Sequence, residues 1–119
     1  TTFKISDVKT DKKKYSKTDK ISVSCNIKNT GDISGAEVVQ VYIGKPKSEV
    51  KRALKELKGF YKVELAKNEI RNITITIDAS KLAYYNEAIS DWTLEKGDYI
   101  VYVGNASDHI VEKVKIEIE

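Results

Sequence analysis

NTGDISGAEVVQVYIGKPKSEVKRALKELKGF, residues 29–60, holds the only long apolar run of the chain between its densest turn signals. Asn29-Thr30-Gly31-Asp32 is a turn on chemistry alone, because Asn, Gly and Asp tolerate the left-handed backbone of tight turns. Gly35 follows in the same connection. Residues 38–43 are then apolar on both faces apart from Gln40, with Val39, Val41 and Ile43 on one side and Val38 and Tyr42 on the other. A sandwich strand needs only one apolar face. The second face is therefore either shielded by neighbouring loops or covered by another domain. Val50, Leu54 and Leu57 recur at helical spacing ahead of Gly59, which predicts a two-turn helix over residues 50–58.

Outward from this stretch the chain reads as strands. Phe3, Ile5 and Val8 mark a first one, ended by the charged turn 11–14, where Lys12, Lys13 and Lys14 sit among Asp7, Asp11 and Asp19 and read as solvated. In residues 21–28, Ile21, Val23, Cys25 and Ile27 share one face while Ser22, Ser24, Asn26 and Lys28 share the other, the pattern of a half-buried antiparallel strand. Tyr61, Val63 and Leu65 alternate, and Ile73, Ile75 and Ile77 do so after a short connection, which predicts a hairpin. The apolar pattern breaks over residues 79–91, a loop with a helical turn carrying Tyr84, Tyr85 and Ile89. Trp92 and Leu94 open the next strand or bend. After the turn 95–98, residues 99–103 form a second run apolar on both faces, with Ile100 and Tyr102 on its second side, and Val111, Val114, Ile116 and Ile118 make the last strand. Seven or eight strands at this spacing predict an all-β, immunoglobulin-like β-sandwich.

With 119 residues, one domain can bury roughly two-thirds of its unfolded surface. The 21 basic and 18 acidic residues are interleaved, so the net charge of +3 makes no steering field, and no nucleic-acid partner is implied. No apolar run approaches the roughly 18 residues of a membrane helix, and no membrane partner is expected. The single cysteine rules out an intramolecular disulfide and a cysteine-based metal framework; Cys25 reads as a small core filler. No cofactor pattern is present. Asn72-Ile73-Thr74 and Asn105-Ala106-Ser107 match the N-glycosylation pattern, read here as chance. The opening residues lack the basic-then-apolar order of a secretory leader, but a trimmed chain would look the same, so cytoplasmic and secreted locations both stay open.

Four separated motifs go further. They are Asn29-Thr30-Gly31-Asp32; Gly35-Ala36-Glu37-Val38-Val39-Gln40-Val41-Tyr42; Lys55-Glu56-Leu57-Lys58-Gly59-Phe60; and Trp92 with Glu95 and Gly97-Asp98-Tyr99, running on to Val103-Gly104-Asn105-Ala106-Ser107-Asp108-His109-Ile110. Their order and spacing resemble the C-terminal fibronectin type III-like domain of family 3 glycoside hydrolases, the β-glucosidase and β-xylosidase enzymes, over essentially the whole chain. Tyr84-Tyr85-Asn86-Glu87 resembles the family's tyrosine-rich loop. The opening Thr1-Thr2-Phe3 is similar to the end of the segment that joins this domain to the rest of such enzymes, so the chain is expected to be one domain of a longer protein. Two departures stand out: Lys51 and Ala53 flank Arg52 where the family carries prolines, and Lys67-Asn68 replaces its Pro-Gly turn. Against the periodicity, the resemblance implies an extended loop at 50–58.

In such enzymes an aspartate nucleophile in a TIM-like barrel and a glutamate acid/base in an α/β sandwich carry the retaining reaction. No residue here matches either motif, and the lone His109 has no nucleophile near it in sequence. The resemblance thus implies a non-catalytic accessory domain, partnered by the catalytic domains of its own chain, with Val38, Tyr42, Ile100 and Tyr102 as the interdomain face. The alternative is an independent carbohydrate- or protein-binding module. In that reading Tyr84, Tyr85 and Trp92 face a β-linked glucan or xylan oligosaccharide; against it, Trp92 would be the buried tryptophan common in sandwiches.

Overall fold

Period-two alternation becomes burial in the computed structural model, which describes residues 2–48, 55–106 and 109–119. Ten strands follow in order: β1 (Phe3–Thr10), β2 (Lys14–Tyr15), β3 (Lys20–Asn29), β4 (Gly35–Gly44), β5 (Glu56–Leu65), β6 (Ile70–Asp78), β7 (Tyr84–Asn86), β8 (Asp91–Thr93), β9 (Gly97–Ala106) and β10 (His109–Ile118). A 3-10 turn, Ala79–Leu82, is the only helical piece among the described residues. Strands β1-β3-β6 form one sheet, β2-β10-β9-β4-β5 a second, and β7-β8 a separate two-stranded ribbon. The expected seven or eight strands are the seven long ones; β2, β7 and β8 are two or three residues long, too short for alternation to mark them.

The two larger sheets close on one core. Ile21, Val23, Cys25 and Ile27 from β3 and Ile73, Ile75 and Ile77 from β6 face Val39, Val41, Ile43, Val63, Leu65, Val101, Val103, Ile116 and Ile118. Every one of these was on the apolar side of an alternating or doubly apolar run. Burial pushes the Cys25 thiol up to about 11, so it stays protonated and serves as filler.

One local expectation fails, and a second lies largely outside the described residues. The segments 60–65 and 70–78 are not a hairpin: β5 pairs with β4 and β6 with β3, so the short connection steps from one sheet to the other. Asn29 ends β3 fully buried, donates from Nδ2 to the carbonyls of Ile33 (2.9 Å) and Leu65 (3.2 Å), and accepts the Gly31 N–H on Oδ1 (2.9 Å). Its backbone also accepts from Asn68 N–H (3.1 Å) and donates to Glu69 (3.0 Å), so one satisfied amide holds the sheet-to-sheet step. Asn68 takes a positive φ of 64° there, the left-handed position that Asn tolerates. As for the helix at 50–58, residues 49–54 lie outside the described residues, while Glu56, Leu57 and Lys58 are strand. A bulge between Val41 and Tyr42 sets Leu57 opposite Tyr42 and Gly59 opposite Val41, leaving Lys58 as the extra residue. That extra residue breaks the alternation of β5 near its start.

Between β1 and β2 the chain crosses from one sheet to the other, and Asp11 and Tyr15 hold the crossing. The buried Tyr15 hydroxyl donates to Asp11 Oδ1 (2.5 Å) and accepts the Lys12 N–H (3.0 Å), while the Ser22 N–H reaches Asp11 Oδ1 (3.2 Å). The bond from Tyr15 holds the Asp11 carboxyl below its ordinary range, burial opposing it. Burial, and then the bond to Asp11, push the Tyr15 phenol up to about 12. The fold therefore holds the phenol proton more tightly than the unfolded chain does. Its contribution is complete below about pH 10, where a free tyrosine ionises, and is lost as pH rises toward about 12.

Two predictions follow from these contacts. Urea midpoints measured from pH 8 to pH 12 should fall at the alkaline end for the wild-type chain and stay flatter for Tyr15→Phe, which gives up about 1 kcal/mol at neutral pH for the lost hydrogen bond. At Gly104 a Cβ would lie 2.1 Å from the His109 carbonyl oxygen. Because backbone has to move there, Gly104→Ala should cost about 3 kcal/mol of unfolding free energy, read as a lower urea midpoint at unchanged slope.

Candidate functional site

The outward faces of the two sheets differ in chemistry. On the three-stranded sheet, register places Lys4 beside Lys28, Ser6 beside Asn26, Asn26 beside Asn72, Ser24 beside Thr74 and Ser22 beside Thr76, with Ile70 the one large apolar side chain. Water can cover such a face. On the five-stranded sheet, Tyr42 lies opposite Tyr102 on one side and Leu57 on the other, Phe60 lies opposite Gln40, and Val38 opposite Lys62. Phe60 is 67% exposed and Leu57 50%, while Val38, Tyr42, Ile100 and Tyr102 are half-buried. The four residues read from the sequence as a second apolar face thus lie on one sheet surface. Leu57 and Phe60 join them there; alternation from Tyr61, Val63 and Leu65 already turns Phe60 outward, while the bulge hid Leu57 by bringing it to the same side.

Lysines lie over the aromatic rings of this face. Lys55 Nζ stands 5.8 Å from the Tyr42 ring and 5.9 Å from Tyr102, and Lys113 Nζ stands 5.8 Å from Tyr102, within reach of weak cation–π attraction. The Tyr42 hydroxyl donates to Gln40 Oε1 (2.5 Å). At one end of the face a recess of about 430 Å³ opens between Pro46, Gly97 and Ile100, rimmed by Lys45, Lys47 and the Asp98–Lys115 ion pair (3.2 Å).

The second group of aromatics sits on the β7–β8 ribbon. Tyr85 and Trp92 face each other across it and meet edge to face, ring centres 5.5 Å apart and planes 83° apart. Trp92 is 65% exposed and Tyr85 50%. The expectation of a core tryptophan is therefore overturned: Trp92 belongs to a ribbon outside both sheets, and Tyr15 and Tyr99 are the large aromatics of the core. Tyr84, half-buried, pairs with Thr93 and points to the opposite side of the ribbon from Tyr85. The ribbon's base is fixed by Glu95, whose carbonyl accepts from the Tyr99 hydroxyl (2.7 Å) and whose carboxylate accepts from Ser48.

Elsewhere the polar groups serve the fold. Asp19 and Glu69 are held below the usual carboxylate range chiefly by backbone N–H donors, from Ser16 and Ala66 respectively. A general acid needs the opposite shift. His109 is exposed, its Nδ1 2.5 Å from Asn105 Oδ1. The amide nitrogen of Asn72 donates to Asn26 (2.9 Å), and that of Asn105 to Glu37 (3.3 Å). Among the described residues no group of three or more His, Cys, Asp or Glu is placed to hold a metal ion.

A fibronectin type III-like domain model matches residues 37–107, which take in both doubly apolar strands and the aromatic ribbon. The chain belongs to the fibronectin type III-like domain family. Thermostable β-glucosidase B of Acetivibrio thermocellus is similar to it at 42% identity, over 99% of this chain and 16% of the relative. Among solved structures, the β-glucosidase of Kluyveromyces marxianus in complex with glucose aligns at TM-score 0.88 and 42% identity, over 100% of this chain and 14% of that one. A GH3 β-glucosidase of Bifidobacterium adolescentis aligns at TM-score 0.88 and 37% identity, over 98% of this chain and 17% of that one. This fibronectin type III-like chain therefore spans about a sixth of the length of the relatives it matches, and it corresponds to a small part of larger family 3 β-glucosidases.

Because Trp92 is the single tryptophan, its exposure has a direct readout. The emission maximum of the folded chain should sit near that of a tryptophan in water and should be quenched by iodide almost as fast as in the urea-unfolded chain. A blue-shifted emission resistant to iodide would contradict the ribbon's placement.

Proposed function

We propose that the chain is a non-catalytic accessory domain of a retaining β-glycosidase of the β-glucosidase type, and that it packs on the catalytic domains and stabilises them. The observation that carries this reading is the contrast between its two outward sheet faces. One is polar apart from Ile70; the other presents Phe60, Leu57, Tyr42, Tyr102, Ile100 and Val38 together, the kind of grouped apolar surface that marks a protein interface. The small share of its relatives' length that the chain spans supports a covering partner within the same polypeptide. On this reading a flat apolar face with tyrosine hydroxyls and lysines at its margin forms an interface core with a polar rim. The recess beside Pro46 and Ile100 receives a side chain of the partner, and the domain helps to shape access to the substrate cleft.

A domain exchange tests it. The matching segment of the Acetivibrio thermocellus β-glucosidase is replaced by this chain, with and without Leu57→Asp and Phe60→Asp. The unmodified exchange should keep the enzyme's thermal midpoint. The double variant should lower it, losing roughly 2 kcal/mol for each side chain that docking would otherwise bury. Equal midpoints and equal activity for the two would refute the packing role.

A further inference from the structure

We propose that the tip of the β7–β8 ribbon is a binding site for a β-linked oligosaccharide, with the Trp92 indole taking the face of one pyranose ring. The inference rests on the reading of the chain as part of a β-glycosidase, and it concerns residues of the ribbon rather than those of the sheet face assigned to the catalytic domains. A tryptophan 65% exposed is not serving the core. Nor does it stand alone: Tyr85 meets it in a T-shaped contact, ring centres 5.5 Å apart, a favoured geometry that restrains both rings without stacking them in parallel. The ribbon itself is anchored at its base through the Tyr99 hydroxyl and Glu95 carbonyl (2.7 Å). An aromatic plane held still before the ligand arrives spares it the cost of ordering.

The neighbours of the ring pair supply the polar half of sugar recognition. Next in register are Asn86 and Asp91, directly opposite each other. Asp91 Oδ1 accepts the backbone N–H of Trp92 (2.7 Å) and Asn86 Oδ1 accepts that of Ala88 (3.0 Å). The second Asp91 oxygen and the Asn86 amide nitrogen are the remaining groups available to hydroxyls beside the indole. A pyranose in a β-linked glucan or xylan carries its hydroxyls around the rim and apolar C–H groups on its faces. That pairs an aromatic surface with a carboxylate and an amide at its edge. Around the rings, Glu87, Ser90 and Asp91 are exposed and polar, with Ala88 and Ile89 the apolar residues of the tip.

The test uses the 119-residue chain and its one tryptophan. Cellotetraose and xylotetraose are titrated while Trp92 emission is followed, with calorimetry in parallel. At least one should give a saturable change with a dissociation constant on the order of 1 mM, as a single stacked ring allows. Tyr85→Ala should weaken binding several-fold and Trp92→Ala should abolish the calorimetric signal, with circular dichroism unchanged in both. A flat titration with both sugars, or an unchanged isotherm for Trp92→Ala, overturns the proposal. So does loss of iodide quenching at Trp92 in the sugar-free exchange enzyme, which would show a protein surface on the ribbon. None of these outcomes bears on the thermal midpoint of the sheet-face variants, so the two proposals fail separately.

Discussion

Everything in this domain hangs on the pairing of β4 with β9 at the centre of the five-stranded sheet. Their inward side chains, Val39, Val41, Ile43, Val101 and Val103, are buried against the isoleucines of β3 and β6 and make the floor of the core. The same register sets Tyr42 opposite Tyr102 on the far side. One ladder therefore fixes two surfaces, and a slip by one residue would exchange them. With no disulfide available to a chain holding a single cysteine, this packing has to be sufficient in itself.

Polar groups then decide where the chain changes sheets. Asn29 is buried and satisfied on both sides of its amide, and it ties the end of β3 to the end of β5 across the sandwich. Asp11 and Tyr15 do the same at the crossing from β1 to β2. Each replaces the backbone pairing that is lost where a strand leaves one sheet for the other. The bulge at Lys58 plays a related part: it lets Leu57 and Phe60 share a face, which turns a partly apolar surface into a continuous one.

Much of this was legible in the residues. The long strands, the core of alternating Ile and Val, the all-β class and the second apolar face at Val38, Tyr42, Ile100 and Tyr102 follow from period two alone. What was not legible has physical causes. A short connection is compatible with a hairpin or with a step between sheets, and only the partner strand decides, so the segments 60–65 and 70–78 were misread. A bulge shifts the period by one, which hid the outward direction of Leu57. Trp92 was weighed both as a sugar-facing residue and as the buried tryptophan common in sandwiches; its ribbon pairs with neither sheet and leaves it 65% exposed.

If the domain packs as proposed, the outer face of the five-stranded sheet is covered by the catalytic domains and that of the three-stranded sheet is not. Lysine reactivity measures this directly, since Lys55, Lys62 and Lys113 lie on or beside the first face and Lys4 and Lys28 on the second. Acetylation rates, read by mass spectrometry, would be compared between the free chain and the same chain built into the Acetivibrio thermocellus enzyme. Lys55, Lys62 and Lys113 should become slow in the enzyme while Lys4 and Lys28 keep their rates. Equal rates in the two settings, or protection of Lys4 and Lys28 instead, would contradict it.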